Sequence, residues 1–356
     1  MKKRLTVVYG QAPELSTSFQ TRELTRFLAP WFEVEHRELP GGLRGARYQL
    51  SRFWKNYVSP SMRRPQVDLL LYGNDGFADL RHWRGRRLLY WYDAPADWSV
   101  RAPTNFQEQL RYQNILEADE VFAVSAAQMR MAMALRKGRE NSVHYLPVGV
   151  DCDVFDPLKA DRTGMRRRFG FSDEDIVIGY LGYLGIWKDR FAGEALLKAA
   201  PLLSSPLIRF LIIGTGPALA RWKETVRKFD FEKRFVFAGF VPQADLPAAI
   251  SVADICVDTL EPGFHSEARS ETKLKQYMAM ARACVATDIG ENRVDLDNGL
   301  AGLLAGPGAE PLAGAISQLA GNAAERVRFG EAARARARSI YDWRRLAMRM
   351  AEVLKC

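Results

Sequence analysis

Glu267, Ser270, Glu271, Thr272, Lys273 and Gln276 lie within one ten-residue window of a 356-residue chain. Carboxylates and hydroxyls accept hydrogen bonds, an amide does so without charge, and a Lys neutralises an anion. Their setting is EPGFHSEARSETKLKQYMAMARACVATDIG, Glu261 to Gly290. A polar loop runs into an amphipathic segment, Lys273 to Met280, then a short apolar run, Ala283 to Thr287, and a Gly. The order reads as loop, helix, buried strand, loop. Helix N-termini fed by such loops hold phosphates, and the backbone donors at Ser270–Lys273 do so whatever the side chains. One more structural αβ unit would give the same pattern.

Two further groups of residues have chemistry to offer. Asp175–Gly182, DIVIGYLG, is a buried strand ending in Gly, and Gly179 and Gly182 permit close approach of a ligand. Trp187, Lys188 and Asp189 follow, with a helix expected from about Arg190, so that Lys188 would reach an anion near its start. Gly214 and Gly216, in GTGP after the strand Leu207–Ile213, suit a phosphate turn or merely a tight strand–helix turn. In the first half, Gly10 ends the first apolar run, GNDGF follows Val67–Tyr72, and DAPADW follows Arg87–Tyr92. Gly10, Asp75, Asp93 and Asp97 are thereby expected at the carboxyl edge of a sheet, the carboxylates to orient an acceptor hydroxyl. His82 and His144 have no carboxylate or nucleophile at telling spacing and are read as structural.

The elements that would position these residues alternate throughout. Leu5–Tyr9, Val34–Leu39, Val67–Tyr72, Arg87–Tyr92, Glu120–Val124 and Val143–Leu146 read as strands, separated by helical stretches such as Phe19–Leu28, Asn105–Leu116 and Ala126–Arg136. Such alternation means an open, doubly wound sheet. YLPVGVDCDVFDP, Tyr145 to Pro157, breaks the pattern as a linker. A second α/β series follows, with strands at Asp175–Gly182, Leu207–Ile213, Phe235–Gly239 and Ile255–Val257. Helices are expected at Pro311–Leu319, Ala323–Ala337 and Tyr341–Leu354. Arg334, Arg336, Arg338 and Arg345 are read as solvated basic sides.

Composition bounds the function. With 47% hydrophobic and 26% charged residues the chain is of ordinary globular type. Residues 1–150 carry 22 Lys and Arg against 15 Asp and Glu, so most of the +9 net charge lies there. A basic half meets nucleic acid, an anionic membrane or a phosphorylated substrate. No nucleic-acid motif supports the first. Residues 43–65, LRGARYQLSRFWKNYVSPSMRRP, interleave Arg44, Arg47 and Lys55 with Phe53, Trp54 and Tyr57, the composition of an interfacial helix for an anionic membrane surface. A surface helix with its aromatics in the core is the plainer reading. No apolar run approaches the ~18–20 residues that cross a bilayer. The four cysteines lie far apart without a CxxC pair, which predicts neither disulfide nor zinc and a cytoplasmic protein, peripheral on the membrane's inner face if 43–65 binds lipid.

Six stretches in order, YLPVGVDCDVFDP, IGYLGYLGIWKD, FLIIGTGP, VFAGFVPQADLPAAISVADICV, KLKQYMAMARACVATDIGEN and NGLAGLLAGP, resemble the C-terminal lobe of glycosyltransferase family 4. The opening APELSTSFQTREL is similar to the first loop and helix of some members. The resemblance implies the GT-B fold: two Rossmann-like doubly wound domains facing each other across a cleft. It assigns residues 1–150 to acceptor binding and 151–340 to the nucleotide sugar, with the helix at about 341–356 packing back on the first domain. It implies retention of anomeric configuration, no cofactor, and no required divalent ion. Asp151/Asp153, Asp173/Asp175 and Asp295/Asp297 have metal-binding spacing without the strand-end position the other transferase fold uses. A glycan or lipid-linked molecule is the expected acceptor.

Placed residue by residue, the resemblance gives Gly182 and Lys188 to the donor diphosphate. Tyr183 stands where an Arg is usual, so Lys188, backbone N–H groups, Arg269 or Lys273 must supply the missing charge. The signature glutamates, eight apart, align with Ala268 and Gln276. Gln276 accepts a ribose hydroxyl without charge, and Glu267 or Glu271 substitutes toward the donor sugar. Lys188, Glu267 and Glu271 are therefore the expected catalytic groups, with Gly182, Tyr183, Gly214, Gly216, Ser270, Thr272, Lys273 and Gln276 binding the donor. A nucleotide-sugar epimerase or phosphorylase, and a non-catalytic nucleotide-sugar-binding relative, are the alternatives.

Overall fold

The computed structural model describes residues 2–9, 16–38, 66–73, 84–92, 106–187 and 190–355. Gly10, Asp75, Asp93, Asp97, Lys188, His82 and the segment 43–65 lie outside the described residues. The chain divides into two units. One comprises Met1–Gly149, Glu267–Ser270 and Trp343–Cys356, the other Val150–Ser266 and Glu271–Asp342. Glu267–Ser270, expected within the second domain, thus counts with the first unit.

The first unit is built on six parallel strands: β1 (Arg4–Tyr9), β2 (Glu33–Glu38), β3 (Gln66–Gly73), β4 (Arg84–Trp91), β5 (Glu120–Ala123) and β6 (Val143–Tyr145). Their order is β2-β1-β3-β4-β5-β6. Central strands of a parallel sheet are covered on both faces and read as continuous apolar runs. Leu69, Leu70, Leu71 and Tyr72 of β3 and Leu88, Leu89, Tyr90 and Trp91 of β4 are accordingly all buried. The last helix, Trp343–Lys355, lays Trp343, Leu346, Ala347, Met350, Ala351 and Leu354 into the core of this unit. That spacing is one helical face, and each large side chain buried there contributes roughly 1.5–3 kcal/mol. His144, for which the sequence spacing offered no carboxylate partner, has one in the fold: its Nε2 lies 2.8 Å from Glu120 Oε2, while Arg86 donates to Glu120 Oε1.

The second unit holds β7 (Ile176–Leu181), β8 (Ile186–Trp187), β9 (Arg190–Phe191), β10 (Ile208–Ile213), β11 (Phe235–Gly239), β12 (Ile255–Asp258), β13 (Ala283–Thr287) and β14 (Leu303–Ala305). Six of them form a sheet in the order β11-β10-β7-β12-β13-β14, every pair parallel. Numbered within the sheet this is 3-2-1-4-5-6, the dinucleotide-binding arrangement, whose order reverses between β7 and β12. Alternate residues feed two cores: Ile178, Phe210, Ile212, Val257 and Val285 on one face, Val177, Leu211, Cys256 and Cys284 on the other.

Two expectations need correction. Instead of a helix from about Arg190, β8 and β9 form an antiparallel hairpin with Ile186 opposite Phe191, and the helix starts at Glu194. Ala192 N donates to Gly185 O (3.0 Å) and Trp222 Nε1 to Ala192 O (3.0 Å), which tie the hairpin's return to the sheet. The helix expected from about Arg190 thus begins four residues later, and Lys188 lies outside the described residues. Arg334 and Arg336 are cross-links, not solvated charges. Arg334 donates to the carbonyls of Phe155 and Ala279 and to Asp156 Oδ1, and Arg336 to those of Asp295 and Val294. Arg338 and Arg345 are exposed.

Candidate functional site at the switch point of the second sheet

β7 and β12 end side by side where the strand order reverses, the place where open α/β sheets take ligands. β7 runs into Gly182. The helix Thr272–Ala279 is pinned to that strand end, because Leu181 N donates to Tyr277 Oη at 2.7 Å. The helix starts after Glu271, whose backbone is extended (φ −75°, ψ 115°) and whose side chain does not cap it.

Lys273, in the first turn, reaches Asp258 at the end of β12: Nζ lies 2.8 Å from Oδ1. Glu271 Oε2 is 3.9 Å away and the Tyr180 ring centroid 5.0 Å away. Asp258 is fully buried, whereas the Lys273 side chain keeps 13% of its surface exposed. Burial pulls the Lys273 pKa down, but Asp258, Tyr180 and Glu271 outweigh it and hold the ammonium well above the usual Lys range. The same Tyr180 ring lies beside Gly182, since a Cβ on Gly182 would stand 3.6 Å from Tyr180 Oη. The Lys273 ammonium and the glycine at the strand end thus have the same aromatic ring as a neighbour.

The glycines of GTGP have a packing explanation. Gly214 (φ +135°) and Gly216 (φ +156°) could not carry a Cβ, which would fall 1.9 Å from Gly182 O and 2.4 Å from Leu184 O. Gly182 N donates to Ile213 O (3.0 Å), Leu184 N to Thr215 O (3.0 Å) and Gly214 N to Gly239 O (2.8 Å). Three strand-end loops are therefore stitched edge to edge by backbone alone. Gly182 is different: a Cβ there meets only ordinary van der Waals contacts, so the fold does not demand glycine at that position. Tyr183 and Phe240, following Gly182 and Gly239, are 67% and 75% exposed.

The other sequence-predicted residues divide. Gln276 and Glu271 are buried, on the helix and just before it, and Ala268 is buried, while Glu267 is exposed. Ser270 Oγ accepts from Val148 N at 3.3 Å, within the first unit. Thr272 opens the helix. Asp258, which sequence reasoning missed, ends an apolar strand run with a carboxylate. That signal was present, but nothing in the spacing linked it to Lys273, fifteen positions on.

On another side of the same helix, Lys275 and Asp295 form a pair with no exposed side-chain surface, Nζ to Oδ2 2.5 Å. Lys275 also stands 5.3 Å from the Tyr341 ring centroid. Burial pushes the Asp295 carboxyl above the usual range against the opposing pull of Lys275 and Tyr341. Of the pairs spaced for a metal, Asp295 is thus committed to Lys275, Asp175 Oδ2 accepts from Ser172 N (2.7 Å), and Asp151 Oδ1 accepts from the backbone of Asp153 and Val154.

Residues 175–322, which contain this site, match the family Glycosyl transferases group 1. That segment, about two fifths of the chain, is similar to the group 1 glycosyl transferases. The resemblance to glycosyltransferase family 4 fits that result. Among curated proteins the chain is similar to the GDP-mannose-dependent alpha-(1-6)-phosphatidylinositol monomannoside mannosyltransferase of Mycolicibacterium smegmatis. The two are 26% identical over 244 residues, 67% of this chain and 62% of the relative. It is also similar to the 2-deoxystreptamine glucosyltransferase of Streptomyces kanamyceticus, 31% identical over 127 residues, 35% of this chain and 32% of that one. The match thus spans less than two thirds of either relative's length. Among solved structures, Anabaena Alr3699/HepE in complex with UDP superposes with a TM-score of 0.74 at 16% identity, over 99% of both chains. Sucrose-phosphate synthase from Thermosynechococcus elongatus gives 0.75 at 16%, over 99% of this chain and 98% of that one. These likenesses show the fold, and it is GT-B.

Proposed function

We propose that the protein is a retaining glycosyltransferase that moves a hexose from a nucleotide sugar to a glycan or lipid-linked acceptor, in cell-surface polysaccharide or glycolipid synthesis. The observation that carries this reading is the meeting of Gly182, Tyr180, Lys273 and the start of the helix Thr272–Ala279 at the switch point of a 3-2-1-4-5-6 sheet. The donor diphosphate lies over the Gly182 turn, where the fold leaves room, and accepts hydrogen bonds from the N–H groups at Thr272 and Lys273. Lys273 takes up the positive charge that Tyr183 does not provide, and Lys188 supplies a second. Gln276 accepts a ribose hydroxyl, and Glu271 orients the donor sugar.

A retaining transfer of this kind depends on stabilising the departing diphosphate and positioning the acceptor, and the diphosphate oxygens take the acceptor's proton. Two lysines and a helix N-terminus supply the charge that a divalent ion supplies elsewhere, so turnover continues in EDTA. The first unit takes the acceptor through Gly10, Asp75, Asp93 and Asp97, and residues 43–65 bind an anionic membrane face at the cytoplasmic side.

The test is a panel of nucleotide sugars, beginning with GDP-mannose and UDP-glucose because relatives and structural neighbours are described with GDP-mannose and UDP. Transfer or slow hydrolysis of one donor is expected, with protection against thermal unfolding by its nucleoside diphosphate. No transfer, hydrolysis or protection from any donor would sink the reading, and binding without turnover would favour the non-catalytic alternative. Lys188→Ala should lower kcat by about 100-fold or more, the scale for removing one transition-state donor. Removing the charges of Arg44, Arg47 and Lys55 should reduce association with phosphatidylserine vesicles. A parent protein that ignores such vesicles refutes the membrane part alone.

A further inference from the structure

We propose that Asp258 is the positioning residue of the donor site: it anchors the Lys273 ammonium beside Gly182, where that ammonium meets the donor's diphosphate. The inference rests on the diphosphate placement proposed above and assigns a function to a residue that neither sequence motif nor signature position singled out.

Four observations carry it. Asp258 ends β12, one of the two strands at the switch point, and is fully buried. Its oxygen and the Lys273 nitrogen are 2.8 Å apart, and the exposed surface of the pair belongs to Lys273 alone. Lys273 stands over the Tyr180 ring, and a Cβ built on Gly182 would lie 3.6 Å from the hydroxyl of that same ring. Tyr183, where the family resemblance implies a cation, carries none. A flexible Lys stem samples many rotamers. A buried carboxylate at a strand end selects one of them, so the charge is already in place when the diphosphate arrives. Asp258 itself has no exposed surface and so does not touch substrate. Its influence passes through Lys273.

The charged and titratable groups facing Lys273 are Asp258 from β12, Glu271 from the residue before the helix, and Tyr180 from β7. Removing Asp258 leaves burial, which disfavours the ammonium, opposed only by Glu271 and Tyr180. In an Asp258→Asn variant the Lys therefore loses its proton at lower pH than in the parent. A structural role alone would lower the melting temperature without moving that limb.

The experiment measures inorganic pyrophosphate binding by calorimetry from pH 7 to 10, for the full-length parent, Asp258→Asn, Lys273→Gln and the double variant. Pyrophosphate should bind Asp258→Asn about tenfold more weakly than the parent, with its affinity falling off at lower pH. Lys273→Gln should lose as much, and the double variant no more than Lys273→Gln, because the two side chains act as one unit. If Asp258→Asn fails to fold, the double variant, which buries no unpaired charge, is compared with Lys273→Gln. Equal affinity supports the proposal and a further loss overturns it. A parent that transfers sugar while Asp258→Asn matches it in affinity and pH profile overturns this proposal alone. A parent that neither binds pyrophosphate nor transfers sugar overturns the functional reading as well.

Discussion

Lys273 and Lys275 leave the same helix two residues apart, and each finds an aspartate, yet the two pairs are built differently. Lys275 and Asp295 are sealed from solvent, beside Tyr341. Lys273 and Asp258 sit at the carboxyl edge of the sheet, with part of the Lys exposed and Glu271 alongside. A fully buried pair returns little net stability over an apolar replacement, because desolvation offsets the Coulombic gain. What it does is fix the face the helix presents. The open pair keeps one partner partly exposed, and that asymmetry separates the pair proposed for the donor site from a structural bolt.

The largest expected effect breaks the sealed pair. Lys275→Ala should cost about 3–5 kcal/mol in urea unfolding, because it strands a buried carboxylate. Lys275→Met with Asp295→Leu should recover most of that loss. If the single variant were as stable as the parent, the pair would not be the bolt described here. Next come the glycines, which repeat the contrast between filled and open positions. Gly214→Ala forces a Cβ against Gly182 O at a φ that L residues rarely adopt, and should destabilise by about 3 kcal/mol. Gly182→Ala meets no such atom, so its stability should change by less than about 1 kcal/mol while nucleoside-diphosphate protection in a thermal-shift assay falls. Equal melting-temperature losses from the two variants would erase the distinction between them.

Lys273→Gln should cost about 2 kcal/mol, the scale of a hydrogen bond to a charged group, again by urea unfolding. Smallest is the alkaline effect. Lys273 is held above its ordinary value of 10.5 in the fold, so the folded state keeps a proton that the unfolded chain releases. Its stabilisation is complete below about pH 10.5 and is lost as pH rises through the folded value. The decline in stability from pH 10 to 11.5 should therefore be shallower in Lys273→Gln than in the parent, and identical slopes would count against the ion pair.

Much of the fold was legible because strands buried on both faces leave continuous apolar runs. Phe235–Gly239 and Ala283–Thr287 are found at the expected boundaries. The hairpin at Ile186–Phe191 was not legible. Two-residue strands have no period, and IWKDRF resembles the entry to a helix. Arg334 and Arg336 looked solvated because most of their acceptors, Phe155 O, Ala279 O, Val294 O and Asp295 O, are backbone groups that carry no side-chain signature, and their carboxylate partners, Asp156 and Asp297, are far from them in sequence. The site divided in the same way. Gly182, Glu271, Lys273 and Gln276 could be named from order and type. The partnership of Asp258 with Lys273 depends on two strands and a helix closing in space, which no local spacing records.

The backbone stitching of Gly182, Gly214 and Gly239 has a consequence for how such a protein can change. The rim of the site is held by N–H and C=O groups that every sequence possesses, so its shape is indifferent to the side chains mounted on it. Tyr183 and Phe240 project from that rim into open space. They can be exchanged for other residues without disturbing the frame, which makes them, on the proposed reading of this rim as a donor site, the natural positions for altering donor preference by directed evolution, and Gly214 and Gly216 the positions to leave alone.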